Sequence, residues 1–294
     1  MANLLLLSFP ESSLQAAKLA QQLSIPHIPI NLHVFPDEES LITLPTELPE
    51  HVIVFRSLNQ PNSKLTELLL VSKALRQHGV KRITLIAPYL CYMRQDRENK
   101  LGEIISQKII GQYLADLFDD VITVDTHLHR ISELTEAIPT QHAINLLATD
   151  PIVEFLKNRF NNMLILGPDS ESEQWVSEIA HALGCDFAIA NKIRKGDRSV
   201  EITFPDKDFT GKNVVIVDDM ASTGRTMGIA ARILTSKGTA SISALVTHAL
   251  FMGDAKTFLQ DNGITCIWSS DTISDETNCI ELHEIIAEAF LKIK

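Results

Sequence analysis

The chain has 294 residues, 45% of them hydrophobic, which allows a large core and favours two domains over one. Its formal net charge of −11 argues against general nucleic-acid or membrane-surface binding, since both want a basic face. The Met1-Ala2-Asn3 start carries no basic region and the apolar run 4–7 is too short for a signal peptide or a membrane span. Cys91, Cys185, Cys266 and Cys279 show no Cys-x-x-Cys spacing, so the expectation is a cytoplasmic protein with reduced thiols.

Apolar runs of strand length recur at 4–9, 51–55, 83–87, 121–124, 163–166, 214–217, 242–246 and 264–268. Helical spacing lies between them. In 102–118 the residues Ile104, Ile105, Ile109, Leu114, Leu117 and Phe118 fall mainly on one stripe, and 172–183 repeats the pattern with Trp175, Val176, Ile179 and Leu183. Gly184 stands where a helix stop belongs. Strands alternating with helices predict an α/β fold with mainly parallel sheets flanked by helices. The pattern at 4–12 returns at 163–171, that at 51–57 returns at 213–219, and that at 83–90 returns at 242–249. The offset, roughly 160 residues, is too long for a solenoid and predicts two similar halves that meet near 148–151.

Neither a Gly-x-x-x-x-Gly-Lys-Ser/Thr loop nor a Gly-x-Gly-x-x-Gly after a strand occurs, so a nucleotide would not be held in a P-loop or a dinucleotide fold. Six other segments carry candidate chemistry. Phe35-Pro36-Asp37-Glu38-Glu39-Ser40 reads first as an acidic surface turn. The segment 88–97, Pro-Tyr-Leu-Cys-Tyr-Met-Arg-Gln-Asp-Arg, follows a strand, and in α/β sheets ligands bind at that edge. Arg94 and Arg97 can meet phosphates and Gln95 a base edge, although a solvated charged loop would use the same residues. In 124–130, His127 and His129 could both ligate a metal only on an extended backbone, and no third soft ligand is near. One histidine on a nucleotide-bound magnesium or a phosphate, or a histidine satisfied in the core, are the other readings.

Gly167-Pro168-Asp169-Ser170-Glu171-Ser172-Glu173 joins a strand to a helix. Ser170 or Ser172 can cap that helix, and Asp169 is the residue capping leaves unexplained. Asn191–198 places Lys192, Arg194, Lys195 and Arg198 around a Gly196-Asp197 turn, either a solvated face or the place where a polyanion meets an acidic protein. The most informative stretch is 213–226, Asn-Val-Val-Ile-Val-Asp-Asp-Met-Ala-Ser-Thr-Gly-Arg-Thr. An apolar strand runs into two acids, then a small-residue turn, then a helix. Backbone N–H groups at such a helix start can hold a phosphate, while Asp218 and Asp219 can accept from a vicinal diol or a hydrated magnesium ion. Diol plus phosphate describes ribose 5-phosphate. An ordinary strand–turn–helix joint with an acidic lip is the alternative.

That stretch resembles the phosphoribosyl-binding motif of the type I phosphoribosyltransferase fold. Taken in order, the segments resemble ribose-phosphate diphosphokinase, also called phosphoribosyl diphosphate synthetase, over nearly the whole chain. The resemblance implies two similar phosphoribosyltransferase-like domains, an ATP-side domain at 1–148 and a ribose 5-phosphate-side domain at 149–294. It implies a transferase of nucleotide biosynthesis, a kinase that moves the diphosphoryl group of ATP to ribose 5-phosphate. Phe35, Asp37 and Glu39 would reach ATP across a subunit interface in a homo-oligomer. Arg94, Gln95, Arg97 and His127 would hold ATP, with His127 and Asp169 around magnesium. Lys192 and Arg194 would be the catalytic pair on a flexible loop. Asp218, Asp219, Ser222, Thr223, Gly224, Arg225 and Thr226 would hold ribose 5-phosphate.

The chain departs from the family pattern at Glu38 (usually Gly), Ser222 (usually an acid) and Arg225 (usually small), and 167–172 lacks two glycines. These departures suggest a divergent branch. A phosphoribosyltransferase is the first rival reading, opposed by the paired halves and the Arg-Gln-Asp-Arg run. A non-catalytic regulatory homologue is the second, opposed by intact Lys192 and Arg194 and favoured by the altered glycines.

Overall fold

A computed structural model describes residues 4–128, 130–194 and 200–294, with the backbone alone for 192–194 and 200–201. The chain divides into two units, Met1–Leu147 with Leu282–Lys294, and Ala148–Glu281.

The first unit runs through β1 (Leu4–Ser8), α1 (Ser13–Leu23), β2 (His27–Pro29), β3 (Asn31–Val34), β4 (Ser40–Thr43), β5 (His51–Phe55), α2 (Pro61–Gln77), β6 (Arg82–Ile86), α3 (Ser106–Ala115), β7 (Asp120–Val124) and β8 (His142–Leu146). Six strands form a parallel sheet in the order β2-β1-β5-β6-β7-β8, and β3 and β4 form a separate antiparallel hairpin. The central strands are buried along almost their whole length, as expected of a parallel sheet covered on both faces. Because the chain leaves β1 in one direction for β2 and returns on its other side with β5, the switch point lies between β1 and β5.

The second unit contains α4 (Thr149–Leu156), β9 (Met163–Gly167), α5 (Glu173–Leu183), β10 (Asp186–Ile189), β11 (Asn191–Arg194), β12 (Val200–Thr203), β13 (Asn213–Ala221), α6 (Arg225–Ser236), β14 (Ser241–Ala249), α7 (Ala255–Asp261), β15 (Cys266–Ser270) and β16 (Asn278–Ile280). Its parallel sheet has the order β10-β9-β13-β14-β15-β16, and β11 and β12 form the hairpin. The order repeats that of the first sheet strand for strand, so the long-period sequence repeat has a structural counterpart. Gly184 closes α5 in the left-handed conformation, φ +62°, where the stop was expected. Among the described residues no helix is long and apolar enough to cross a membrane.

One expectation about the halves is corrected. The final helix, α8 (His283–Ile293), belongs to the first unit, not to a second half ending at 294. Its buried Ile286, Ala287, Ala289 and Phe290 face α1, β7 and β8. Arg82 Nη2 donates to Ile293 O at 2.6 Å, and the Phe290 ring lies 5.7 Å from His51. An apolar helix face settles where it finds a complementary apolar surface, whatever its place in the sequence.

Arg82 also anchors the amino edge of the first sheet. Fully buried Asp120 accepts from Arg82 Nε at 2.8 Å and Nη2 at 3.0 Å, from Thr84 Oγ1 at 2.9 Å, and pairs with His142 Nδ1 at 2.6 Å. Burial pushes its carboxyl up, but the bonds from Arg82, His142 and Thr84 outweigh burial and hold it below the ordinary range. A depressed folded-state value gives stability that is present above the unfolded value near pH ~4 and is lost as pH falls through the folded value. Asp120→Asn should therefore cost about 1.5–3 kcal/mol at neutral pH. In denaturant titrations across pH, the gap from wild type should narrow below pH ~4; a gap that stays constant to pH ~2 would show that the charge on Asp120 is not what the network uses.

Candidate functional site

In an open α/β sheet the crevice for ligands lies beyond the carboxyl ends of the strands at the switch point. In the second unit that is the gap between β9 and β13, whose ends carry Asp169 and the pair Asp218-Asp219. The strand extends further than the apolar run alone predicts: Asp218 pairs with Val246, Met220 with His248 and Ala221 with Ala249. Both acids thus belong to a paired strand and not to the turn. Asp218 is half-buried and accepts from Asp219 N at 3.1 Å, and Asp219 is buried, 9% exposed.

The turn proper is Ser222-Thr223-Gly224. Gly224 takes φ +67° at the N-cap of α6, a conformation that costs a residue with a side chain, and a Cβ there would meet Leu259 at 3.0 Å. With a glycine as its N-cap residue, α6 receives no side-chain cap from that position. Its first N–H groups are left for solvent or ligand, with the positive end of the helix dipole behind them. Ser222 and Thr226 are half-buried at this mouth and Thr223 is exposed. The turn is braced from behind, where Phe251 N donates to Ala221 O at 2.9 Å and Met252 N to Ser222 O at 2.8 Å. Arg225, at the first position of α6, is engaged by the protein itself. Its Nη2 donates to both Asp254 oxygens, at 3.0 and 2.9 Å, and its guanidinium lies 3.9 Å from the Phe258 ring centroid.

Asp169 differs from expectation. Capping does explain it: its Oδ1 accepts from Glu171 N at 3.1 Å, while Ser172 Oγ donates to Asp169 O at 2.6 Å and gives α5 no side-chain cap. Gly167 permits this tight turn, since a Cβ would lie 2.2 Å from Ser172 Oγ. Lys192 and Arg194 lie on β11, in register with Ile202 and Val200 of β12. The expected Gly196-Asp197 turn, with Lys195 and Arg198, lies outside the described residues, as does His129.

In the first unit the structure brings two predicted segments together. Asp96, in the 88–97 segment after β6, receives Arg130 Nη1 at 2.6 and 2.7 Å, and Val124 N donates to Pro88 O at 3.2 Å. The 88–97 segment and the loop holding His127 are thereby joined. Thr126 N donates to Asn145 Oδ1 at 2.8 Å, and His127 is half-buried. Arg94 and Arg97 are exposed; Arg97 Nε donates to Asn99 Oδ1 at 2.8 Å, and Gln95 Nε2 is turned onto Arg97 O at 2.9 Å. Tyr89, Leu90, Cys91 and Met93 are core residues, and burial pushes the Cys91 thiol up to about 12, so it is inert at neutral pH. Phe35, Asp37 and Glu39 sit at the β3–β4 tip, closed by Phe35 N to Glu39 O at 2.8 Å. Two roles went unread in the sequence. Arg130 lay inside a quoted motif without a partner in view, and Asp254 with Phe258 had no local signal, because their partner is 29 residues away for Asp254.

Among the described residues no group of three or more His, Cys, Asp and Glu gathers as for a metal ion. Asp169 follows β9, and Asp218 and Asp219 lie near the end of its neighbour β13. Magnesium keeps several waters and takes one or two carboxylates plus substrate phosphates, so these acids suit an ion that arrives with a polyphosphate.

Residues 4–117 match the N-terminal domain of ribose phosphate pyrophosphokinase, and residues 135–276 match the phosphoribosyl transferase domain. A ribose-phosphate pyrophosphokinase of Methanopyrus kandleri is 31% identical over 275 residues, covering 92% of this chain and 93% of its own length. One from Saccharolobus solfataricus is 33% identical over 264 residues, covering 87% and 88%. The crystal structure of phosphoribosylpyrophosphate synthetase from Mycobacterium smegmatis shares the fold, with a TM-score of 0.84 over 99% of this chain and 98% of that one, at 21% identity.

The β3–β4 tip yields a test. Glu38 takes φ +71° and donates its N–H to Phe35 O at 2.9 Å, a left-handed position that favours glycine. Glu38→Gly should raise the unfolding free energy by about 0.5–1 kcal/mol, the relief of strain less the added freedom of the unfolded chain. Chemical denaturation checks this, and a loss of stability would mean the Glu38 side chain makes a compensating contact.

Proposed function

The chain belongs to the ribose-phosphate pyrophosphokinase family, and we propose that it transfers the β,γ-diphosphoryl group of ATP to the anomeric hydroxyl of ribose 5-phosphate. The hydroxyl oxygen attacks the β-phosphorus, the bond from that phosphorus to the oxygen bridging the α-phosphorus breaks, and the hydroxyl proton is released. AMP leaves and 5-phosphoribosyl 1-diphosphate forms. The observation that carries the reading is the uncapped start of α6 directly behind Asp218 and Asp219, an anion site beside diol acceptors at a switch point.

On this reading the second unit is the ribose 5-phosphate side and the first the ATP side. Asp218 and Asp219 accept from the sugar hydroxyls. Ser222, Thr223, Gly224 and Thr226 donate to the 5-phosphate through the turn and helix start. Arg94, Gln95 and Arg97 hold ATP, and Gln95 must leave Arg97 O to read the base. His127 in the first unit and Asp169 in the second would each serve as a magnesium ligand, and the metal when bound supplies charge neutralisation on the phosphates. Lys192 and Arg194 meet the diphosphoryl group as its bond to AMP breaks. The chain works as a homo-oligomer in the cytoplasm, with Phe35, Asp37 and Glu39 completing the ATP site of a neighbouring subunit. Exposure of Val34, Phe35 and Leu41 on the hairpin supports that last point.

The test is release of AMP from ATP dependent on ribose 5-phosphate. Wild type should show it. Asp219→Ala should weaken use of ribose 5-phosphate by about 1–3 kcal/mol, because sugar hydroxyls are left unpaired in a closed site. Lys192→Ala should slow kcat by roughly 10²–10³-fold with little change in equilibrium ATP affinity. Nucleobase-dependent consumption of phosphoribosyl diphosphate without AMP release would support a phosphoribosyltransferase, and no turnover at all a non-catalytic homologue.

A further inference from the structure

Arg225 occupies the first position of α6, where a cation opposes the helix dipole. It is nevertheless engaged. Its Nη2 donates to both oxygens of Asp254, and its plane lies over Phe258, 3.9 Å from the centroid. Asp254 stands at the N-cap of α7, yet its side chain makes no cap bond there; its carboxylate is turned onto Arg225 instead. Phe258 reaches α6 because Gly228 has no side chain, since a Cβ there would lie 2.5 Å from the ring. Gly224 leaves room for Leu259 in the same way. The start of α6 and the start of α7 are therefore joined by two close approaches at glycines, with Arg225 across the top.

Exposure decides what this junction can do. The Arg225 and Asp254 side chains are 47% and 66% exposed, and an exposed pair contributes little to global stability. It can still fix local geometry. Arg225 follows Gly224 directly, and Met252, two residues before Asp254, donates its N–H to Ser222 O. The turn Ser222-Thr223-Gly224 is thus gripped at both ends by one segment, 251–258.

We propose that Arg225 is a positioning residue, which through Asp254 and Phe258 holds the Ser222-Thr223-Gly224 turn in the conformation that receives the 5-phosphate. It does not itself bind that phosphate. This rests on the assignment of the turn to ribose 5-phosphate made above. A ligand role would need the guanidinium to leave a carboxylate already bonded to it through both oxygens.

A double-mutant cycle separates the two roles. Arg225→Ala and Asp254→Ala should each raise KM for ribose 5-phosphate about 3- to 30-fold, the scale of one exposed ion pair plus one cation–π contact. The double variant should be no worse than either single one, and kcat and KM for ATP should stay within about twofold. Arg225→Lys should recover part of the loss by keeping the ion pair without the planar fork. Amide hydrogen exchange in the substrate-free protein gives a readout independent of turnover. Residues 222–226 should exchange faster in both single variants while Tm is unchanged. If Asp254→Ala leaves KM for ribose 5-phosphate unchanged or lowers it while Arg225→Ala raises it, Arg225 is a direct ligand and the proposal is overturned. Unchanged exchange at 222–226 in both variants also overturns it. Absence of ribose 5-phosphate-dependent turnover in wild type would instead count against the family reaction, and the exchange result would still decide whether the clamp exists.

Discussion

The start of α6 is a helix end that its own sequence does not close. Its N-cap is Gly224, which has no side chain to cap with and enters the helix from the left-handed region. Open N–H groups on a helix of this length are a standing demand for an acceptor, and the strand just before them ends in two acids. A phosphate next to a diol satisfies both halves of that demand at once. The rest of the second unit serves to hold this arrangement: a buried β13 paired on both sides, a brace from 251–254, and glycines at 224 and 228 where α7 comes close.

The first unit repeats the sheet order but treats the corresponding place differently. At its switch point, beyond β1 and β5, Arg56 is 2.8 Å from Glu11 and 2.5 Å from Glu67, with its guanidinium 3.6 Å from the Phe9 ring centroid. Lys64 Nζ donates to Ser57 O at 2.7 Å and to Asn59 Oδ1 at 2.8 Å. The side chains of Arg56 and Glu67 are almost wholly buried, 3% and 4% exposed. Charges buried this deeply must be paired, and here they pair with one another. One scaffold therefore fills the crevice of its first unit from within with paired charges. Of the predicted nucleotide-side residues, Arg94, Gln95, Arg97 and His127 fall after β6 and β7, while Phe35, Asp37 and Glu39 lie at the β3–β4 tip.

The parallel core was legible because strands buried on both faces read as unbroken apolar runs, as at Leu4–Ser8 and Asn213–Ala221. Edge strands such as His27–Pro29 and Asn278–Ile280 are three residues long and half-exposed, so they leave no run to see. The β3–β4 hairpin escaped because its strands are four residues long and largely exposed. The turn 222–224 was legible from residue type alone, since small residues after a strand signal backbone access. What stayed hidden depended on distant partners. Asp169 looked unexplained because a side chain accepting from a backbone N–H two residues on leaves no mark in composition. The contact of Arg225 with Asp254 gave no sign because the two are remote in sequence, and α8 looked like part of the second half because a helix face does not announce which sheet it will cover.

The central claim is that ribose 5-phosphate seats on the open start of α6. Amide hydrogen exchange of the wild-type protein with and without ribose 5-phosphate reads those N–H groups directly. The account predicts protection centred on residues 222–228, with the amides at 57–62 in the first unit unchanged. Protection confined to the first unit, or none at 222–228 at a saturating concentration, would contradict it.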